Sequence, residues 1–144
     1  MAKSVAHKID ERALLPAPQT CPYCHSSVTF TTHAVLYGGR TFSDWPYIYL
    51  CDNVACMASV GVHAGTQYPL GTLADEKTKA ARKAAHAAFD PIWKTQKNKG
   101  KARGEAYKWL AEQLDIERWR CHISWFDVSY CKKVVQLCLS RNQN

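Results

Sequence analysis

From Val28 onward the chain alternates. Val28, Phe30, Thr32, Ala34 and Leu36 fall on one side, and Thr29, Thr31, His33, Val35 and Tyr37 on the other, which predicts a β-strand. Gly38-Gly39 supplies the positive φ that a tight turn requires, and Tyr47-Ile48-Tyr49-Leu50 reads as the return strand. Ala58 to His63 gives a third. After a connector containing Pro69 and Gly71 the period changes to helical. Thr72 followed by Asp75 resembles a capping box, and an alanine-rich helix follows until Phe89-Asp90-Pro91 interrupts it, with Ile92-Trp93 as a short apolar anchor. Ala106, Trp109, Leu110 and Leu114 then mark one face of an amphipathic helix. A last helix, capped by Ser124 or Asp127, is expected to bury Val128, Cys131, Val134, Val135 and Cys138.

This pattern predicts an α+β protein in which an N-terminal three-stranded sheet packs against a C-terminal helical region. Residues 1–19, ending in Pro16-Ala17-Pro18, read as a flexible arm, 20–66 as the sheet module and 67–144 as the helical region, the last two forming one compact body. A sheet this small lacks the core to stand alone. The cysteines answer that need: Cys21-x2-Cys24 and Cys51-x4-Cys56 present two close pairs of sulfurs, separated by 26 residues that accommodate a hairpin. We therefore expect a zinc ribbon holding one structural zinc ion, since four thiolates saturate the metal and leave no position for water or substrate. His25, beside the first pair, is expected outside the ligand set.

Composition narrows the class further. Among 144 residues, 47% are hydrophobic and 22% charged, a globular balance. Seven cysteines, an odd number, do not suit a closed disulfide framework. With no apolar run of signal-peptide or membrane-spanning length, a cytoplasmic protein with reduced thiols is expected, and no membrane partner. The net charge of +7 draws the molecule toward polyanions. Lys79, Arg82, Lys83 and His86 recur at helical spacing, and Lys94 to Arg103 reads as an exposed basic loop that includes Lys97, Lys99 and Lys101. These cations either contact phosphates or form a solvated face.

Cys21-Pro22-Tyr23-Cys24 with Cys51-Asp52-Asn53-x2-Cys56 resembles the four-cysteine zinc ribbons at the C-terminal end of bacterial type I topoisomerases, although the second knuckle is one residue shorter here. Those ribbons bind single-stranded DNA through aromatic and basic side chains. The resemblance implies the same of Tyr37, Arg40, Phe42, Trp45, Tyr47 and Tyr49, about half of which are expected to serve as core instead. A second resemblance spans Cys21 to Cys138. It runs through Tyr37-Gly38-Gly39-Arg40, His63-x-Gly65-Thr66, Pro69-Leu70-Gly71-Thr72-Leu73-Ala74, Ala84-Ala85-His86, Asp90-Pro91-x-Trp93, Ala106-Tyr107-x-Trp109-Leu110 and Cys121-His122-Ile123 before Phe126-Asp127. These residues are similar to an uncharacterised zinc-finger-containing family of phage and bacterial proteins. That resemblance implies a zinc site, a small helical tail and a phage or mobile-element setting, hence the host cytoplasm, but no particular activity.

Three functions remain open at this point. The first is non-catalytic binding of nucleic acid, single strands favoured, by the ribbon aromatics with Arg40, Lys79, Arg82, Lys83, Lys97, Lys99, Lys101 and Arg103. The second is a phage-type modulator of a host protein in transcription, replication or defence, with the aromatics as interface anchors. The third is a nucleic-acid-processing enzyme, or a second metal site, using His63, His86 or His122 with Cys121. No paired-carboxylate, HNH-like or HExxH pattern joins those histidines, so no catalytic residue and no small-molecule substrate is expected.

Overall fold

A computed structural model of the protein describes residues 11–36, 38–39 and 44–142. Two compact units divide the chain, Met1–Glu76 and Lys77–Asn144. The first contains a three-stranded antiparallel sheet, β1 (Val28–Thr32), β2 (Tyr47–Cys51) and β3 (Ser59–Gly61), with β2 in the middle. The second is helical. The architecture is thus α+β, with the four cysteines at the sheet end and helices towards the C-terminus.

Pairing sets the faces of the sheet. Val28 pairs with Cys51, Phe30 with Tyr49 and Thr32 with Tyr47 across β1–β2, while Tyr49 also pairs with Val60 across β2–β3. Alternation then puts Phe30, Tyr47, Tyr49 and Val60 on one side and Ile48 and Leu50 on the other. The buried run Ile48 to Cys51 is what a central strand requires, because both of its faces are covered.

β1 is shorter than the alternation predicts. Pro46 precedes the last paired residue of β2 and has no N–H to offer the ladder, so pairing stops at Thr32. The carbonyl of Pro46 instead accepts from the His33 N–H at 2.8 Å, and the chain winds into a helical turn, α1 (His33–Leu36). Gly38 and Gly39, at φ 62° and 91°, close this turn, with the Gly39 N–H donating to the Ala34 carbonyl at 2.7 Å. Their positive φ ends a helix rather than making a two-residue hairpin. In the segment expected as an arm, Glu11–Ala13 form a single 3-10 turn and Ala13 is buried.

The first long helix, α2 (Glu76–Phe89), starts a turn later than the Thr72 box predicts. Ala74 is engaged with β3, exchanging two backbone hydrogen bonds of 3.0 Å with Ser59, and that pairing holds the chain extended up to Asp75. α3 (Pro91–Lys94) follows the expected break. Pro91 cannot donate to the turn before it and is suited to the first position of a new helix.

The basic stretch is not wholly a loop, because α4 runs Lys99–Leu114 and takes in Lys99, Lys101 and Arg103. Asn98 is the reason: its side chain accepts from the Lys101 N–H at 3.2 Å and caps the helix. Asp115, in the left-handed region at φ 55°, ends it. α5 (Val128–Asn142) is capped by Asp127, whose Oδ1 accepts from the Tyr130 N–H at 2.8 Å, and not by Ser124, which lies in a 3-10 turn at Ile123–Trp125. Phe89, Leu110, Ile123 and Val134 are fully buried in the helical core together with Cys121, Cys131 and Cys138. Val128 and Val135 are only half-buried. Phe89 meets Tyr107 edge-on with ring centroids 4.7 Å apart.

Candidate metal centre

Two knuckles deliver the sulfurs. In the first, the Cys21 carbonyl accepts from the His25 N–H at 2.9 Å and the Cys21 N–H donates to Ser26 at 2.8 Å. In the second, Asn53 accepts from both Cys56 and Met57 N–H groups at 2.9 Å. Each knuckle closes with a left-handed residue directly after its second cysteine, His25 at φ 65° and Met57 at φ 52°. A glycine signal at these positions would have been visible in the sequence; this chain spends side chains there instead.

The four Sγ atoms of Cys21, Cys24, Cys51 and Cys56 lie within 4.8 Å of one another. Cys21 and Cys56 are 3.8 Å apart, and Cys24 and Cys51 3.4 Å. A zinc ion with bonds of about 2.3 Å to a tetrahedron of sulfurs sets the sulfurs about 3.8 Å apart, so this cluster fits the ion with little adjustment. Cys21 and Cys51 are buried, Cys24 and Cys56 half-buried, and Ala58 and Leu73 complete a small apolar jacket around them.

The four thiols differ in how readily they lose a proton. The Ser26 hydroxyl, 3.3 Å from Cys24 Sγ, and then the Ser26 N–H hold that thiol down to about 6, which favours its thiolate. Burial pushes Cys51 up to about 12, with the Asn53 N–H 3.4 Å from its sulfur acting against that, so a metal must displace its proton. Next to the site, Asp52 accepts from the hydroxyls of Ser27 and Thr29, the latter at 2.6 Å, and these bonds lower its carboxyl pKa. Asp52 thereby ties the second knuckle to β1. Zinc held by these four cysteines would cross-link two chain segments; its chemistry here is structural.

The aromatic residues of the ribbon form a row. Trp45 meets Tyr47 edge-on at 5.0 Å, Tyr47 stacks on Phe30 at 5.4 Å, and Phe30 lies 5.0 Å from Tyr49. The chain after β3 folds back, pairing Val62 with Pro69, and its tip accepts two of the polar handles: Trp45 Nε1 donates to the Thr66 carbonyl at 2.8 Å and the Tyr49 hydroxyl to Gln67 at 2.7 Å. Tyr49 is 5% exposed, and its ring is therefore core, not a stacking platform; Phe30 lies against it and its hydroxyl is held by the Gln67 carbonyl. Trp45 remains 37% exposed and Tyr47 is half-buried. Phe30 belongs to the row although only strand alternation marked it in the sequence. Tyr37, Arg40 and Phe42 lie outside the described residues.

The basic residues divide as well. Lys83, Lys97, Lys99, Lys101 and Arg103 are exposed, while Lys79 and Arg82 are half-buried. Arg82 Nε donates to the Phe126 carbonyl at 2.9 Å, so this cation also ties helices together. The Arg103 guanidinium lies over the Tyr107 ring at 4.8 Å. His63, His86 and His122, the three histidines singled out in the sequence, lie in different local settings. The His63 backbone carbonyl takes the Thr66 N–H and hydroxyl, and burial lowers its imidazole pKa. His86 Nδ1 lies 3.5 Å from Asp90, and His122 Nε2 donates to the Trp119 carbonyl at 2.8 Å. Among the described residues the four cysteines are the one group of three or more side chains placed to share a metal ion.

A three-stranded antiparallel sheet closed at one end by two cysteine knuckles defines a small zinc-finger protein. The chain belongs to the family described as a zinc-finger-containing domain, which it matches over residues 17–141. No curated protein and no solved structure matches it significantly. No helix among the described residues is long and apolar enough to cross a membrane.

Proposed function

We infer that the protein binds nucleic acid, favouring single strands, without acting on it chemically, and that one zinc ion keeps the ribbon folded for that task. The observation that carries this reading is the start of α4. Lys97, Lys99, Lys101 and Arg103 are all exposed there, with no acid between Lys94 and Glu105. Cations in the first turns of a helix oppose its dipole and cost stability, so the helix is held by the Asn98 cap in spite of them. Such a concentration of positive charge at a helix end attracts phosphates. The exposed part of Trp45 and half-buried Tyr47 supply ring surface for bases, and the site with four thiolates leaves the metal no coordination position for a reacting water.

The test is fluorescence anisotropy with labelled single-stranded DNA and RNA at several salt concentrations, using protein of verified zinc content. Micromolar or tighter binding that weakens steeply with salt supports the reading. Changing Lys97, Lys99 and Lys101 together to Gln is expected to flatten the log–log salt slope by about 2, at about 0.7 per phosphate contact on single strands. No binding at low salt would overturn it, and affinity capture of a host protein would then be the relevant experiment.

A further inference from the structure

The helical unit carries an aromatic groove that the ribbon-centred reading does not use. Its walls include Trp119, Arg120, Trp125, Phe126, Asp127 and Tyr130, and it is an open depression of about 460 Å³. Apart from buried Phe126, these rings are half-buried, presenting part of their surface outward. They are also held in place. Trp125 is stacked on His122 at 4.6 Å, and the His122 Nε2 bond to the Trp119 carbonyl fixes that imidazole. Trp119 meets Trp125 edge-on at 6.5 Å, and Tyr130 stacks on Phe126 at 5.3 Å. Rigid rings lose little entropy when a flat ligand settles on them.

Charge says what kind of ligand fits. The Arg120 guanidinium, in the groove wall, lies 5.0 Å from the Trp119 ring, and the Lys133 ammonium, outside the wall, lies 5.2 Å from the Tyr130 ring. Both cations are exposed. The acids nearby are already committed: Glu117 accepts from Trp119 Nε1 at 2.6 Å, and Asp127 caps α5 through the Tyr130 N–H. Rings with Arg120 and Lys133 against them, and Asp127 as the one carboxylate in the wall, on a chain of net charge +7, complement a polyanion that carries flat bases.

We propose that the groove lined by Trp119, Trp125 and Tyr130 is a base-stacking site for single-stranded nucleic acid, with Arg120 and Lys133 engaging the adjoining phosphates. This deepens the nucleic-acid reading above and rests on it. Stacking provides contact with any base, since every base has a π-face, while the two cations track the backbone. A sequence signal existed in the density of rings between residues 119 and 130, but periodicity assigned them no common surface because they lie in 3-10 turns and a helix start.

The experiment compares five proteins with zinc bound: the unaltered chain, Trp119→Leu, Trp119→Phe, Arg120→Gln with Lys133→Gln, and Trp45→Leu. Each is titrated against a labelled 20-nucleotide oligo-dT and against an abasic oligomer of equal length and charge. The unaltered chain is expected to bind oligo-dT about tenfold or more tightly than the abasic strand, Trp119→Leu to lose the groove's several-fold share of that preference, and Trp45→Leu the ribbon's share. The double Gln variant is expected to weaken binding to both strands. Trp119→Phe, which keeps a ring in place, is expected to retain most of the preference, and melting curves confirm that each variant is folded. Strong binding by the unaltered chain that Trp119→Leu leaves intact, or that makes no distinction between abasic and base-bearing strands, overturns the groove while leaving the nucleic-acid reading in force. Absence of binding by the unaltered chain overturns both, and a protein bound through the same groove would overturn this assignment in favour of an interface.

Discussion

Stripping zinc from the protein is expected to unfold the sheet unit and spare the helices. The four sulfurs are the centre of a small cluster at one end of the sheet, which Ala58 and Leu73 join among the described residues as buried members beside Cys21 and Cys51. A structural zinc contributes about 10–16 kcal/mol of apparent folding free energy, and a whole small domain is stable by only about 5–15 kcal/mol. Removing the ion therefore takes away as much as or more than the unit has. The helical unit has its own core, from Ala85 to Cys138, and none of the metal ligands belongs to it. The assay is hydrogen exchange read peptide by peptide before and after chelation, with far-ultraviolet circular dichroism alongside. Amides of Tyr47–Cys51 are expected to lose protection, while those around Leu110 and Val134 keep theirs. The helical signal at 222 nm is expected to change little, because α2, α4 and α5 contain 14, 16 and 15 residues against 4 for α1. Full protection of β2 in zinc-free protein, or collapse of the helical signal together with the sheet, would refute the reasoning.

The remaining perturbations also have defined outcomes. Met57→Gly in the second knuckle and Asp115→Gly at the end of α4 each relieve a left-handed backbone, at φ 52° and 55°, and are expected to raise stability by up to about 1 kcal/mol in urea titrations of zinc-loaded protein. Phe89→Ala empties a fully buried position stacked edge-on against Tyr107 and is expected to destabilise the helical unit by about 3–5 kcal/mol, measured by thermal melting. Burial raises the Cys121 thiol from 9.0 to about 11. Folding thus favours its neutral form, a contribution complete below pH 9 and lost as pH climbs through 11, so the urea midpoint is expected to fall over that interval and to fall less in Cys121→Ala. At pH 8 the same thiol, with Cys131 and Cys138, is expected to resist alkylation in the native protein.

The zinc site was legible in the sequence because its requirements are local: two sulfurs per knuckle at fixed spacing, and two knuckles separated by enough chain for a hairpin. The class of fold was legible for the same reason, since a period of two followed by a period near 3.6 is written residue by residue. Where elements end was not. β1 stops because Pro46, on the other strand, has no hydrogen to give, and α2 starts late because Ala74 is paired with Ser59. Both facts involve residues distant in the chain. Tyr49 and Trp45 have similar local surroundings in the sequence and both donate to the segment at Thr66–Gln67, yet one is core and the other is more than a third exposed, because Tyr49 sits within the paired part of β2 against Phe30 while Trp45 lies beyond the end of that strand. Arg82 looked like its neighbour Lys83 until the carbonyl of Phe126 came within its reach. Spacing along the chain determines what a side chain can offer; only the folded backbone decides which carbonyls, rings and sulfurs stand close enough to accept it, because those contacts join residues that local pattern cannot relate.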